Sequence, residues 1–111
     1  MSTTRELTPV EIHMLLAVAE KPRHGYGIKL EVERRTDGRV RLGSGTLYVA
    51  IQRLEKEGLM RGKTKQSANE DKRRRRYFEL TAAGRKVLRR EMERLEALVT
   101  FARGLDLVGD A

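Results

Sequence analysis

The sequence predicts a mainly α-helical fold that carries one small β-hairpin, and three patterns lead to it. Three amphipathic stretches with helical spacing run through residues 9–56, two short strand-like runs flank a basic segment at 61–76, and an apolar repeat occupies 88–102. The 111 residues suit one compact domain with a tail, and no internal repeat stands out.

The first helix is set by Thr8-Pro9-Val10-Glu11, where a hydroxyl N-cap, a proline just inside the helix and a glutamate two residues later make a capping box. Ile12, Leu15, Leu16 and Ala19 then form one apolar face, and Lys21-Pro22 ends the helix, for a span of 9–20. His24-Gly25-Tyr26-Gly27 opens a second helix, with Ile28 and Val32 on its stripe and Thr36-Asp37-Gly38 as the stop. A connector over 39–42 leads to Gly43-Ser44-Gly45-Thr46, in which Ser44 reads as the N-cap of a third helix. On that helix Leu47, Ala50, Ile51 and Leu54 fall at i, i+3, i+4 and i+7, and Gly58 suits its C-terminal cap. Leu59-Met60-Arg61 and Arg76-Tyr77-Phe78-Glu79-Leu80 read as paired strands around a polar loop. Thr81 can cap a long last helix, along which Leu88, Met92, Leu95, Val99 and Ala102 alternate by four and three residues.

Charge and cysteine content narrow the class. Lys and Arg number 24 against 16 Asp and Glu, a net charge of +8. That balance fits nucleic acid first and an anionic membrane second, with solubility alone as the plain alternative. With no cysteine, a disulfide framework and a thiolate metal site are excluded, and an intracellular setting is natural. The N-terminus lacks the basic-then-apolar order of a signal peptide, and no apolar run approaches the roughly 18 residues that span a bilayer. A cytoplasmic protein with no membrane partner is expected.

Three helices, a basic hairpin and a long final helix, in that order, describe a winged helix-turn-helix with an added dimerisation helix. Residues 8–80 are expected to form the DNA-binding unit, 81–103 a dimerisation helix of the same compact domain, and 104–111 a tail. With its apolar positions inward, the third helix turns Gly45, Tyr48, Val49, Gln52, Arg53 and Lys56 outward, although Tyr48 can instead pack at the base of the wing. Such a face suits the DNA major groove, where Gln pairs with adenine, Arg with guanine and an apolar group meets a thymine methyl. The alternative is a solvated polar face. Ser44 and Thr46 stand at the positive end of this helix, where they can hold a phosphate, cap the helix, or do both.

Residues 61–76 hold eight basic side chains, including Arg73, Arg74, Arg75 and Arg76, against Glu70 and Asp71. Over 43–58, by contrast, Arg53 and Lys56 are balanced by Glu55 and Glu57. The wing is therefore expected to attract phosphates while the third helix reads bases. The stripe Leu88, Met92, Leu95, Val99 and Ala102 exceeds what one small core covers, so a homodimer through the last helix is expected, with recognition helices roughly 34–36 Å apart. An effector cavity is expected where the first and last helices meet, lined by Met14, Met92 and Phe101.

Three motifs add a family resemblance: Pro22-x-His24-Gly25-Tyr26-Gly27-Ile28, then Gly45-Thr46-Leu47-Tyr48 with Arg53-Leu54-Glu55-x-Glu57-Gly58-Leu59, then Arg75-Arg76-Tyr77-Phe78-x-Leu80-Thr81-x-x-Gly84-Arg85. Together they resemble the PadR family of bacterial transcriptional regulators over about residues 8–103. The resemblance implies a homodimer that represses by occupying a promoter, often its own or a neighbouring transporter's, and releases DNA when a small molecule binds. Where the family often has Ser-Pro before the Gly-Thr-Leu-Tyr motif, this chain has Gly43-Ser44. It also has no Trp with which to build an aromatic drug sandwich.

His13 and His24 have no cysteine or tight carboxylate cluster beside them, so no metal or other cofactor is expected and both read as structural. Neither a nucleophile paired with a base nor a Gly-rich phosphate loop stands out, so the chain is not expected to be an enzyme. The other reading is a winged-helix module for RNA or for a protein partner, since the fold alone does not fix function.

Overall fold

Among the described residues of a computed structural model, 5–65 and 75–109, four helices and three strands follow one another. Their order is α1 (Pro9–Glu20), β1 (Arg23–His24), α2 (Gly25–Arg35), α3 (Ser44–Lys56), β2 (Met60–Lys65), β3 (Arg75–Leu80) and α4 (Ala82–Gly104).

Most boundaries have a local cause. The capping box of α1 closes in both directions: the Glu11 N–H donates to Thr8 Oγ1 at 3.2 Å and the Thr8 N–H to Glu11 Oε1 at 2.9 Å. His24 Nδ1 accepts from the Gly27 N–H at 3.0 Å and so caps α2. That helix stops where Asp37 and Gly38 take left-handed φ angles of 57° and 80°. At the end of α3, Gly58 has φ 78°, and the Gly58 and Leu59 N–H groups donate to the Glu55 and Leu54 carbonyls, each at 2.9 Å. Ser44, however, is not the N-cap of α3. Gly43 holds that place, with no side-chain capping bond, and Ser44 is the first helical residue. Leu42 and Leu47 are both buried on either side of the turn, which pins it one residue earlier.

The sheet has three strands rather than the two expected, in the order β1-β3-β2, all antiparallel. Strand β1 is two residues long and pairs Arg23 with Phe78 and His24 with Tyr77. The core gathers Met14, Leu15 and Val18 of α1, Ile28 and Val32 of α2, Leu47, Ile51 and Leu54 of α3, and Met60, Phe78 and Leu88. Helix α4 begins directly on this body. A Cβ at Gly84 would lie 2.0 Å from the Leu59 carbonyl oxygen, so only glycine permits the approach. The N-terminal arm is tied down as well: the Leu7 N–H donates to Glu91 Oε2 at 3.0 Å, and Arg5 bridges Glu11 and Glu57 at 2.8 and 2.7 Å.

Beyond its first turns α4 leaves the body. Leu88 is buried and Val87, Met92 and Leu95 pack against the core, but Leu98, Phe101 and Leu105 are 61%, 69% and 56% exposed. Among the described residues no helix is long and apolar enough to cross a membrane.

Candidate nucleic-acid interface

Helix α3 buries Leu47, Ile51 and Leu54 and turns its opposite face to solvent. There Tyr48 and Val49 are 52% and 66% exposed, and Gln52, Arg53 and Lys56 are exposed beside them. Its 13 residues make a rod of about 20 Å. The side chains of Thr8, His24 and Thr81 cap α1, α2 and α4, whereas the start of α3 has no side-chain cap and leaves Ser44, Gly45 and Thr46 exposed. Backbone N–H groups at such an end carry the positive pole of the helix and lack intrahelical partners.

Neighbouring residues hold Tyr48 in place. A Cβ on Gly25 would lie 3.2 Å from Tyr48 Cε1 and Oη, so the ring rests on the first turn of α2 where glycine makes room. Close by on α2, Tyr26 is 57% exposed, with the Lys29 ammonium 5.9 Å from its ring centroid. Sequence reasoning missed Tyr26 and Lys29. Tyr26 lies on α2 away from the buried Ile28 and Val32, and Lys29 beside it is half-buried and paired with Glu33 at 2.9 Å.

The hairpin divides its charges by face. Met60 pairs with Leu80, Gly62 with Phe78 and Thr64 with Arg76. Strand alternation therefore puts Arg76 on the Phe78 side, towards α3, and Arg61, Lys63 and Glu79 on the other side. On that outer side Arg61 and Lys63 both reach Glu79, at 2.6 and 3.4 Å. On the inner side Arg76 makes a two-point contact with Glu55 of α3, Nη2 to Oε2 at 2.8 Å and Nη1 to Oε1 at 3.2 Å. Arg76, expected to contact DNA, is thus paired with Glu55 while its side chain stays 54% exposed. Arg73 and Arg74 lie outside the described residues, and so does the Arg75 side chain.

The carboxylates near α3 are matched from within the body. Hydrogen bonds from Arg5 hold the Glu57 carboxyl below the usual carboxylate range, and Arg53 stands 3.7 Å away. At Glu11 burial pushes the carboxyl up, but hydrogen bonds from Arg5 and from the Thr8 N–H outweigh it and the net shift is down. With Glu57 held by Arg5 and Glu55 by Arg76, Arg53 and Lys56 are the exposed charged side chains on the outer face of α3.

The expected dimer stripe splits in two. Leu88 belongs to the chain's own core, Met92, Leu95 and Ala102 are half-buried, and Val99 is 41% exposed. The exposed apolar surface at this end is Leu98, Phe101 and Leu105, at i, i+3 and i+7, with Val99 of the expected stripe beside them and Leu107 beyond the helix. The residues expected to line an effector cavity differ in exposure. Met14 is fully buried in the core, with no surface for a ligand, while Phe101 is 69% exposed on the free part of α4. An open cleft of about 400 Å³ lies instead against His13, Arg35, Thr36, Asp37, Arg39 and Val40. Among the described residues no group of three His, Cys, Asp or Glu side chains could hold a metal ion.

Comparison with known proteins gives four findings. The profile described as the transcriptional regulator PadR-like family matches residues 14–90. A transcriptional regulator of Mycobacterium tuberculosis is 34% identical over 89 residues, 80% of this chain and 78% of that protein. A 37.1 kDa protein in a Streptomyces fradiae transposon is 41% identical over 85 residues, which is 77% of this chain but 22% of that relative's length. Among solved structures, a transcriptional regulator from Clostridium thermocellum superposes with a TM-score of 0.71 at 26% identity, covering 86% of this chain and 87% of that one.

Proposed function

The chain belongs to the PadR-like family of transcriptional regulators, and from that membership we propose that it is a repressor that binds a palindromic operator in double-stranded DNA as a homodimer and leaves it when a small-molecule effector binds. The observation that carries this reading is the outer face of α3, where Tyr48 and Val49 are half or more exposed beside Gln52, Arg53 and Lys56. A rod with this mixture of apolar and hydrogen-bonding groups matches what base edges offer in the major groove.

In this arrangement the free amides around Ser44, Gly45 and Thr46 hold a backbone phosphate at the start of α3. Tyr48, Val49 and Gln52 meet base edges, with Arg53 and Lys56 reaching bases or the flanking phosphates. Arg73, Arg74 and Arg75 of the wing supply attraction that does not depend on sequence. Two copies join through the free half of α4, which sets the α3 helices one DNA turn apart, roughly 34–36 Å. The effector site lies at the seam of α1 and α4, where Met92 and Phe101 leave adaptable apolar surface. A regulator of this kind works in the cytoplasm, where the DNA is.

The test is selection of bound duplexes from a random pool by the purified chain. An enriched palindrome, bound by two protomers, is the expected result. No enriched sequence, or equal affinity for a structured RNA, overturns the reading and favours an RNA- or protein-binding module.

A further inference from the structure

The wing is joined to α3 by more than apolar packing. Arg76 forks onto both oxygens of Glu55, at 2.8 and 3.2 Å, and the Gly62 N–H donates to the same Glu55 Oε2 at 3.2 Å. One carboxylate on α3 therefore gathers donors from both strands of the hairpin. The guanidinium also lies over the Phe78 ring, with Cζ 5.4 Å from the centroid. Gly62 makes the space: a Cβ there would fall 2.7 Å from Arg76 Cζ, Nε and Nη2, so the guanidinium occupies the volume a side chain would fill. A planar fork held at two points on one carboxylate and backed by a ring fixes direction as well as distance.

We propose that Glu55, Gly62 and Arg76 form a latch that sets the angle of the wing relative to α3, and that Arg76 acts on sequence recognition as a positioning residue rather than as a phosphate contact. The proposal rests on the DNA-binding reading above. It follows that the basic residues of the hairpin are not equivalent: Arg61 and Lys63 share Glu79 on the outer face, while Arg76 aims the wing from the inner one. The latch also masks the Glu55 carboxylate, which would otherwise repel a phosphate backbone lying along α3.

The test compares binding of an operator duplex obtained by selection with binding of a random duplex, over a range of salt, for wild type, Arg76→Ala, Glu55→Gln, Gly62→Ala and the double variant Glu55→Gln with Arg76→Ala. Arg76→Ala is expected to keep the wild-type salt slope and to lose operator preference by about tenfold or more. Glu55→Gln releases Arg76, so the slope on random DNA should steepen by about 0.9 while operator preference falls. Gly62→Ala changes no charge, so its loss of preference reports the latch geometry alone. The double variant should be no worse in operator preference than Arg76→Ala alone, the sign of one shared interaction. The proposal is overturned if Arg76→Ala flattens the slope by about 0.9 and keeps the preference, because Arg76 is then a phosphate contact. It is equally overturned if all three single variants keep the wild-type preference. A wild type that prefers no duplex overturns the DNA reading itself, whatever the variants do.

Discussion

Leu98→Asp probes how two copies of the chain meet, because Leu98 is 61% exposed and stands apart from the chain's own core. Fully burying a leucine contributes about 1.5–3 kcal/mol. Covering the 61% of Leu98 that the single chain leaves open therefore contributes about 1–2 kcal/mol per protomer. A two-fold interface uses the residue twice, which makes about 2–4 kcal/mol, or roughly a 30- to 1000-fold change in the dimer dissociation constant. The carboxylate buried in the variant adds to that loss. Leu95→Asp would be a poorer probe, since Leu95 packs against the core and its loss would disturb the fold of each protomer as well. The assay is sedimentation velocity over a concentration series, with circular dichroism to establish that helix content is kept. The expected result is a folded monomer at concentrations where wild type is a dimer. A variant that sediments with the wild-type dimer throughout, or a wild type that stays monomeric, refutes the reasoning.

Three further outcomes follow from the geometry. Gln52→Ala or Tyr48→Ala should lower operator preference by about 1–3 kcal/mol at an unchanged salt slope, whereas Arg73→Ala with Arg74→Ala should flatten the slope by about 0.9 per residue and keep the preference; binding titrations on operator and random duplex distinguish the two. Gly84→Ala should cost about 1–3 kcal/mol or more in chemical denaturation, because its Cβ would sit 2.0 Å from the Leu59 carbonyl oxygen and α4 must back away. Stability should fall in acid: hydrogen bonds from Arg34, against the opposing effect of burial, and further bonds from Arg35 lower the Glu31 carboxyl to about 2. Its folded-state value lies below the unfolded one of about 4.3, so its contribution is complete above that pH and disappears as pH falls towards 2. Thermal melts in dilute buffer should show that decline, and it should be shallower in Glu31→Gln; a melting temperature flat down to pH 3 counts against this account.

Features with a cause a few residues away were legible in the sequence. The Thr8 and Glu11 box, the Gly58 turn and the Thr81 cap each close within a few residues, and each was readable from residue types in order. Strand β1 was not, because two residues carry no alternation and its only support is Phe78 and Tyr77, far along the chain. The Arg5 bridge was invisible for the same reason, since Glu57 lies 52 residues away. The misplaced cap of α3 has a different source. Serine is the better capping residue by type, but burial of Leu42 and Leu47 decides which residue stands at the turn.

The same distinction separates the two halves of the candidate site. Once Leu47, Ile51 and Leu54 are taken as core, the helical period leaves one orientation for α3, so Val49 and Gln52 face outward, while the seat of the Tyr48 ring on Gly25 of α2 comes from a distant residue. The wing resisted that treatment because its cations were counted along the chain, as one charge run, when a strand sorts them by face. Phe78 held the missing information: a buried residue two places after Arg76 puts that arginine on the inner side, next to whatever the sheet covers. On α4 the period leaves open how much of the stripe the chain's own core takes up. How far Leu88, Met92 and Leu95 are consumed by the chain's own core depends on where α1 and the Leu7 arm end against α4, and nothing in the α4 repeat records that. The free apolar surface therefore begins at Leu98, where the body stops, rather than at Leu88, where the repeat starts.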